Sequence, residues 1–420
     1  MNSTELTKYL KKSVITGLGK SIIVMVVTLA LIPLIIGRIG MANYGVIMLT
    51  LIFNSAASFI DVGFSKSVTL LLGKTSESLR ESQIVSAALI INLLLAVIIS
   101  SIIFVLVAND VKVFGKEFDK VEYTGVILIS GLLILWISLL KNLSIAILEA
   151  KYMVHYINIG NTFSSVFLYL SLYLFTFLTI ELKTLLFIPV VPLLITLFYF
   201  ILIICKKTSL SFTRVNFVIF REISKVSVKF LNIGIVNAII SPANKYALVL
   251  LTGNPAYLGI LDVGMKIAKA ANNVLGSLSV PLFGVFSNLQ DSNEIYRVVK
   301  KTTTILFIAF IAGVVAFYFT RNLFANIFDA ENAELIAQTS FWLLFGICSI
   351  GVSEPAYRAL LGMARLKEAL LLKIIVPITN VIVFIVLYSQ PGLFRITYAL
   401  SFSMIIGAIS ILFYYSKNWK

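Results

Sequence analysis

The chain has 420 residues, of which 59% are hydrophobic and only 13% are charged, and its formal net charge is +15. Soluble domains average about 25% charged residues, so this composition excludes an ordinary soluble domain and predicts a polytopic membrane protein. The basic residues lie mainly in short connections between apolar runs, which leaves no soluble basic face for nucleic acid. Two Cys in separate apolar runs and a single His argue against a disulfide framework or a metal site.

Apolar runs separated by short polar breaks predict an all-α fold with twelve transmembrane helices. In the first half, the predicted spans are 13–37, 42–72, 84–108, 123–148, 158–178 and 185–205. A basic loop is predicted over 206–229. The spans of the second half are then 230–251, 256–286, 302–319, 339–362, 369–388 and 395–415.

The distribution of Lys and Arg predicts the orientation of these spans. With the N-terminus in the cytoplasm, 23 of the 34 basic residues flank the cytoplasmic side, 7 flank the outer side and 4 lie within spans. Short cytoplasmic loops are enriched in Lys and Arg. We therefore expect both termini to be cytoplasmic.

Short sequence matches indicate that the second half repeats the first. Residues 42–45 resemble 256–259, 146–148 resemble 359–361, and Gly63 matches Gly276, all at an offset of about 213 residues. Six spans per half give both halves the same orientation, so the pseudo-twofold axis is expected along the membrane normal. We predict two six-helix lobes, 1–207 and 230–420, joined by a basic cytoplasmic linker at 208–229 and enclosing a central cavity.

The eighth span carries a polar stripe. At 100° per residue, Asp262, Lys266, Lys269 and Asn273 fall within an arc of about 60°. Each ionised side chain at mid-membrane costs roughly 2.5–3.5 kcal/mol on insertion scales, so the stripe is expected to face a wet cavity or other helices. The matching positions of the first half are uncharged, and this asymmetry favours a role in handling a substrate or ion. The simpler alternative is that Asp262 and Lys266, at i,i+4, only neutralise each other.

Polar residues in other spans extend this candidate site. The predicted cationic substrate-binding residues are Lys266, Lys269, Lys245 and Arg358. The predicted polar residues of the cavity wall are Asn54, Asn237, Ser241, Asn244, Asn273 and Asn380. The predicted ion-coupling residues are Asp262, Asp61 and Glu354.

These residues also have simpler interpretations. Asparagines within spans often hold helices together by hydrogen bonds. Glu354 and Arg358 form another i,i+4 pair that is able to neutralise itself. Lys20, Lys66 and Lys373 lie near cytoplasmic ends, where long side chains snorkel to the interface.

Motifs typical of enzymes are missing. The sequence has no Walker A loop, no HExxH, no GxSxG and no CxxC. The outer connections at 109–122 and 320–338 are too short to hold a glycosyltransferase or polymerase site. We therefore expect a protein that is not an enzyme and has no cofactor.

Three short motifs carry a resemblance to a known family. They are the residues 38–45 (RIGMANYG), 61–63 (DVG) and 257–259 (YLG). In these motifs, length and span number, the chain resembles the polysaccharide-transporter branch of the MOP exporter superfamily, and within it the Wzx-type flippases of O-antigen or capsule units. That resemblance implies two six-helix lobes around a cationic cavity. Many such relatives have an acidic residue in the middle of the seventh span, where this chain reads Asn244-Lys245, so the resemblance does not fix the coupling ion.

The resemblance also implies a substrate and a location. The substrate is an undecaprenyl-diphosphate-linked oligosaccharide, moved from the cytoplasmic to the periplasmic leaflet of the bacterial inner membrane by alternating access. Lysines in a low-dielectric cavity attract a diphosphate, and Asn and Ser suit sugar hydroxyls. The expected partners are this lipid-linked oligosaccharide, membrane lipid, a proton or Na⁺, and a polysaccharide polymerase with its chain-length regulator.

Two other transport functions remain open. One is a flippase for a lipid II-like or teichoic precursor, although MurJ-type flippases usually have fourteen spans rather than twelve. The other is a MATE-type small-molecule exporter, although a lysine-rich cavity repels cationic drugs. A polysaccharide polymerase would need a large outer loop.

Overall fold

The computed structural model describes 3–75, 77–109, 114, 123–178, 181–208, 210, 213, 215–238, 240–279, 292–321, 328, 330–363 and 365–418. Within these ranges the regular elements are helices, in agreement with the predicted all-α fold. For some helical residues, among them Asn237 and Ser241, the side chain is outside the description.

Fourteen helices follow one another in the described ranges. Those of the first part are α1 Ser3–Thr50, α2 Ile52–Lys74, α3 Ser78–Ala108, α4 Thr124–Ala150, α5 Val154–Leu178, α6 Leu182–Leu185, α7 Val190–Lys207, α8 Phe217–Ala238 and α9 Ile240–Thr252. Those of the second part are α10 Pro255–Ser279, α11 Ser292–Thr320, α12 Ala330–Gly362, α13 Leu366–Val386 and α14 Gly392–Asn418.

The chain divides into two compact units. Unit 1 covers Met1–Pro255 and unit 2 covers Ala256–Lys420. The division follows Gly253, which ends the ninth helix with a φ of 58°. Glycine adopts this left-handed conformation without a steric penalty. The sequence predicts a lobe boundary earlier, in the linker at 208–229. That boundary stays a prediction, and α8 and α9 are part of unit 1.

Gly40 separates the first two predicted spans. It has φ 81° and ψ 158°, a backbone conformation open essentially to glycine alone, and it interrupts α1. The second predicted span, 42–72, therefore comprises the end of α1 and nearly all of α2. Its two parts meet at Leu51.

Nine described helical segments are long and apolar enough to cross a membrane. The first, Ile15–Ser58, runs through the Gly40 break and so covers the first predicted span and part of the second. Helix α10 is not among the nine because Asp262, Lys266 and Lys269 lie inside it. The chain is thus a multi-pass membrane protein, with the most polar of its predicted spans in α8 to α10.

Contacts in unit 1 fix the relative directions of its helices. Asn92 on α3 bonds to the Leu139 carbonyl of α4 at 3.3 Å, whereas the earlier Glu81 on α3 meets the later Lys151 after α4 at 2.5 Å. These two helices are therefore antiparallel. By the same argument α1 runs parallel to α5, because Thr16 meets Asn158 and Arg38 lies over Phe177. This alternation is the one expected for successive membrane spans.

Unit 2 shows the same kind of alternation. A β-carbon built on Gly346 of α12 would lie 2.6 Å from Ser401 Cα of α14, and the rings of Trp342 and Tyr398 meet edge to face, so α12 and α14 are parallel. Helix α11 runs antiparallel to α12, with Phe310 against Phe345 and, at the other end, the cluster of Ile295 and Leu360. The order of directions in the two units is compatible with the predicted repeat.

Helix α8 occupies most of the predicted linker. Ile219, Ile223 and Ser227 recur every four residues and are buried, which is a helical stripe. Ile219 and Ile223 pack into the apolar cluster formed with α2 to α4, and Ser227 shares a 2.7 Å hydrogen bond with Ser67 of α2. The prediction of a loop over 206–229 was wrong from Phe217 onward. Basic residues lie between the buried positions and hid the helical spacing of those positions in the sequence.

Candidate functional site

The polar stripe of α10 forms as one face of a regular helix. Asp262 and Lys266 make an ion pair one turn apart, with side-chain exposures of 7% and 20%. Lys269 and Asn273 are exposed in the next two turns. The i,i+4 contact expected of the first two residues is therefore present, and the exposed part of the stripe begins at Lys269.

The opposite face of α10 packs against α12. A β-carbon built on Gly264 would lie 3.1 Å from Thr339 Cγ2 and 3.2 Å from Leu343 Cδ1, so a side chain here would require these neighbours to shift by a few tenths of an ångström. One turn later, the Ala268 carbonyl faces Cys348 Sγ at 4.0 Å. Gly264 and Ala268 lie about 200° around the helix from the centre of the stripe. The stripe thus points away from the helix that holds α10 in place.

A second charged group in unit 2 joins α12 and α13. Arg358 Nε lies 3.0 Å from Glu354 Oε1, and both side chains are about one-quarter exposed or less. Lys373 of α13 lies over the Tyr357 ring, with Nζ 4.4 Å from its centroid, and is close enough to Glu354 and Arg358 to interact electrostatically. Two cations therefore share one carboxylate, and the group keeps a net positive charge.

Helices α2 and α4 of unit 1 are joined by polar side-chain contacts along their length. Ser138 Oγ donates to Asn54 Oδ1 at 2.7 Å, and Lys66 Nζ donates to Glu149 Oε2 at 3.3 Å. From the first contact to the second the residue number increases on both helices, so α2 and α4 are parallel. Asn54 therefore has the helix-joining contact that was the simpler interpretation of this residue.

Asp61 lies on α2 between the residues that make these two contacts, Asn54 and Lys66. It is 4% exposed, and Ser65 Oγ donates to its Oδ2 at 2.5 Å. The Asn142 amide of α4 and the Lys66 ammonium are also close to its carboxylate. A buried carboxylate with hydroxyl, amide and ammonium neighbours is chemically suited to holding a proton or a small cation.

The remaining predicted residues lie on three helices. Lys245 is half-buried on α9, and the neighbouring Asn244 is buried and donates to the Ile240 carbonyl at 2.7 Å. Asn380 is buried on α13, with 8% exposure. The predictions for Asn237 and Ser241 fall on side chains outside the described part of the chain.

Sequence reasoning missed a pair of lysines in unit 1. Lys20 was interpreted as snorkelling and Lys141 was not singled out, yet both lie inside helices, and their ammonium groups are close enough to repel each other. Neither lysine forms an ion pair or hydrogen bond with a residue in the described ranges. They are 121 positions apart in sequence, so only the fold brings them together.

The chemistry of these groups is that of binding. The structure offers exposed amide and ammonium groups on α10, a net positive group on α12 and α13, and a buried carboxylate on α2. Within the described ranges, no three His, Cys, Asp or Glu side chains are grouped so that they could hold a metal ion. Anions and hydroxyl groups are the ligands that such side chains recognise.

Comparison with solved structures identifies the fold. The lipid II flippase MurJ in an inward closed conformation matches with a TM-score of 0.77 and 15% identity, over 98% of this chain and 87% of that one. An inward-facing multidrug resistance MATE family transporter of the MOP superfamily matches with a TM-score of 0.66 and 14% identity, over 100% and 95%. A MOP superfamily transporter from Pyrococcus furiosus, described as having a binding pocket of reverse polarity, matches at 0.61 and 15%, over 98% and 95%.

At these identities the likeness establishes the fold, which is that of the MOP superfamily transporters. No protein-family model and no curated protein sequence matches the chain.

Proposed function

We propose that this chain, which has the fold of the MOP superfamily transporters, is a flippase for an undecaprenyl-diphosphate-linked oligosaccharide. It would move an O-antigen or capsule repeat unit from the cytoplasmic to the periplasmic leaflet of the bacterial inner membrane, with both termini in the cytoplasm. The observation that carries this proposal is the stripe of α10. It keeps Lys269 and Asn273 exposed while the opposite face of the helix is packed against α12.

The fold alone does not choose the substrate, because one scaffold often carries several functions. MurJ is described as a lipid II flippase, the MATE protein as a multidrug resistance transporter, and the Pyrococcus furiosus protein as one whose reversed pocket polarity suggests a different function. The sign of the charges is therefore the relevant difference. In this chain lysines within the spans favour an anionic substrate and disfavour a cationic drug.

The diphosphate of the substrate supplies the negative charge. We assign its recognition to Lys269, with Lys266, Lys245 and Arg358 as further cationic contacts. Lys266 and Arg358 each have a carboxylate partner, so they would share their hydrogen bonds with the diphosphate rather than offer a whole charge. Lys269 is the more accessible of the two lysines on α10, so we assign it the main contact with the diphosphate.

Sugar hydroxyls and a coupling ion need different groups. We assign the hydroxyls to the amide and hydroxyl side chains, because each offers both a donor and an acceptor. These are Asn237, Ser241, Asn244, Asn273 and Asn380, whereas Asn54 is hydrogen-bonded to Ser138 where α2 contacts α4. The coupling proton or Na⁺ would bind at Asp61, with Asp262 and Glu354 as further sites, and the lipid tail would stay in the bilayer.

A second candidate is a flippase for a lipid II-like or teichoic precursor. The observation in its favour is the MurJ match, whose TM-score of 0.77 exceeds the 0.66 of the MATE transporter. Both candidates need recognition of a lipid diphosphate, so they differ in the sugar rather than in the anchor.

Deletion of the gene tests the proposal and separates the two candidates. We expect surface polysaccharide to be lost and its undecaprenyl-diphosphate-linked repeat unit to accumulate on the cytoplasmic face, with restoration by the intact gene. Accumulation of a peptidoglycan or teichoic precursor instead would support the second candidate. If no lipid-linked intermediate accumulates, both are overturned. Where a polymerase and chain-length regulator act on the same repeat unit, their deletion should leave the repeat unit on the periplasmic face.

A further inference from the structure

A groove runs between α1 and α5 in unit 1. Its volume is about 530 Å³, within the range of roughly 300–1,000 Å³ that is usual for small-ligand pockets. Its lining includes Thr16 and Lys20 of α1 and Thr162, Val166, Phe167 and Leu170 of α5. Most of the described lining is aliphatic or aromatic, and Lys20 is the only charged residue among the described residues that line the groove.

The lining changes from polar to apolar along the groove. Thr16, Lys20 and Thr162 lie towards one end, where Asn158 Nδ2 donates to Thr16 Oγ1 at 3.0 Å. Val166, Phe167 and Leu170 continue the wall along α5, and Leu170 lies about 12 Å beyond Thr162 at 1.5 Å rise per residue. One end therefore suits a polar group and the rest suits a hydrocarbon chain.

The polar end is also strongly cationic. Lys141 of α4 is close enough to Lys20 for the two ammonium groups to repel each other, and neither has an ion-pair partner among the described residues. Two like charges inside membrane helices are unfavourable unless an anion or water compensates them. An anion at Lys20 would reduce this repulsion, whereas a neutral or cationic group would not.

We propose that this groove binds an anionic phospholipid of the cytoplasmic leaflet, with its phosphate on Lys20 and one acyl chain along α1 and α5. The two helices are parallel, and the positive-inside rule places their N-terminal ends at the cytoplasm. The polar end of the groove then lies nearer the headgroups, and the apolar part runs toward the centre of the bilayer. This is the polarity of a lipid of that leaflet. The inference does not depend on the proposed transport function.

Binding of phosphatidylglycerol to the purified, delipidated full chain tests this site. Native mass spectrometry would compare retention of phosphatidylglycerol with that of zwitterionic phosphatidylcholine. We expect Lys20→Gln to weaken phosphatidylglycerol binding about fivefold, the effect of one basic residue on an anionic lipid. Lys206→Gln, which removes an exposed lysine at the end of α7, is the matched control and should bind as the unmodified chain does.

A second variant tests the apolar part without changing charge. Leu170→Trp should fill the groove and abolish retention, whereas Leu178→Trp, at an exposed position of the same helix outside the groove, should not. This arm keeps the proposal testable if Lys20→Gln fails to fold.

Three results would overturn the proposal. One is equal binding by Lys20→Gln and Lys206→Gln, or by the two Trp variants. Another is equal retention of phosphatidylcholine and phosphatidylglycerol by the unmodified chain. The third is a dependence on Lys20 and Leu170 seen with undecaprenyl phosphate but not with phosphatidylglycerol, since the groove would then hold the carrier lipid instead.

Discussion

Lys266 and Asp262 form an ion pair one turn apart on α10, and Lys269 lies exposed on the same face one turn further on. The pair removes most of the cost of two charges inside a membrane helix, because each is the other's counter-ion. Lys269 is exposed where Lys266 is largely covered. A charged helix of this kind is explained if its open face meets something anionic.

The ion pair on α10 predicts a stability cycle. Lys266→Ala removes the partner of a carboxylate that is only 7% exposed, so we expect a loss of up to about 3 kcal/mol in the free energy of unfolding. The double variant Asp262→Asn with Lys266→Gln should recover most of that loss. Denaturant unfolding of the purified protein in detergent measures both. A single variant as stable as the unmodified chain would show that the pair contributes nothing.

The hydrogen bond between Asn54 and Ser138 predicts a structural role for both residues. Because Ser138 Oγ donates to Asn54 Oδ1 across the α2–α4 contact, the variants Asn54→Ala and Ser138→Ala should show a coupling energy of about 0.6–1.7 kcal/mol in a double-mutant cycle of unfolding. Surface polysaccharide should then fall only as far as the amount of folded protein does. Loss of transport at unchanged protein level would instead make Asn54 a substrate contact.

Close packing of α12 on α14 predicts that Gly346 does not tolerate a side chain. A β-carbon there would lie 2.6 Å from Ser401 Cα and 3.0 Å from its carbonyl oxygen, so Gly346→Ala must separate the helices. We expect a loss of about 1–3 kcal/mol, typical of overpacking. Gly313→Ala is the control, because a β-carbon there meets nothing within 4 Å. Equal thermal unfolding temperatures for the two variants would contradict this packing.

The predicted orientation makes Cys205 a reporter of sidedness. Cys205 is exposed near the end of α7, whereas Cys348 is buried. A membrane-impermeant maleimide should therefore label the chain only after the cells are permeabilised. In a chain with Cys205→Ser and Lys183→Cys, labelling should occur in intact cells, because position 183 precedes α7 on the outer side. The reverse pattern would invert the predicted topology.

Much of the fold could be predicted because span length and apolar composition depend on local sequence. The spans 123–148 and 395–415 agree closely with the helices Thr124–Ala150 and Gly392–Asn418. The i,i+4 pair of Asp262 and Lys266 was also predictable, since one helical turn fixes that contact. Features that depend on a single helix could therefore be predicted from the sequence.

Contacts between helices were not predictable in the same way. Asn54 was predicted as a polar residue of its span, but its pairing with Ser138 depends on the register of α4 against α2. Lys20 and Lys141 come together only through tertiary packing. The helix from Phe217 was missed because its buried positions alternate with basic residues, whose local density is typical of a loop.

Lys269 is the residue on which the proposed function depends most directly, and one complementation measurement tests its role. In a strain that lacks the gene, surface polysaccharide would be quantified with the chain carrying Lys269→Gln, Lys269→Arg or, as a control at an exposed lysine of α7, Lys206→Gln, at matched amounts of membrane-inserted protein. We predict that Lys269→Gln lowers surface polysaccharide at least tenfold, which corresponds to about 1.4 kcal/mol. Lys269→Arg should restore most of it, and Lys206→Gln should leave it unchanged. Full surface polysaccharide with Lys269→Gln would contradict the proposal that the exposed cation of α10 receives the lipid diphosphate.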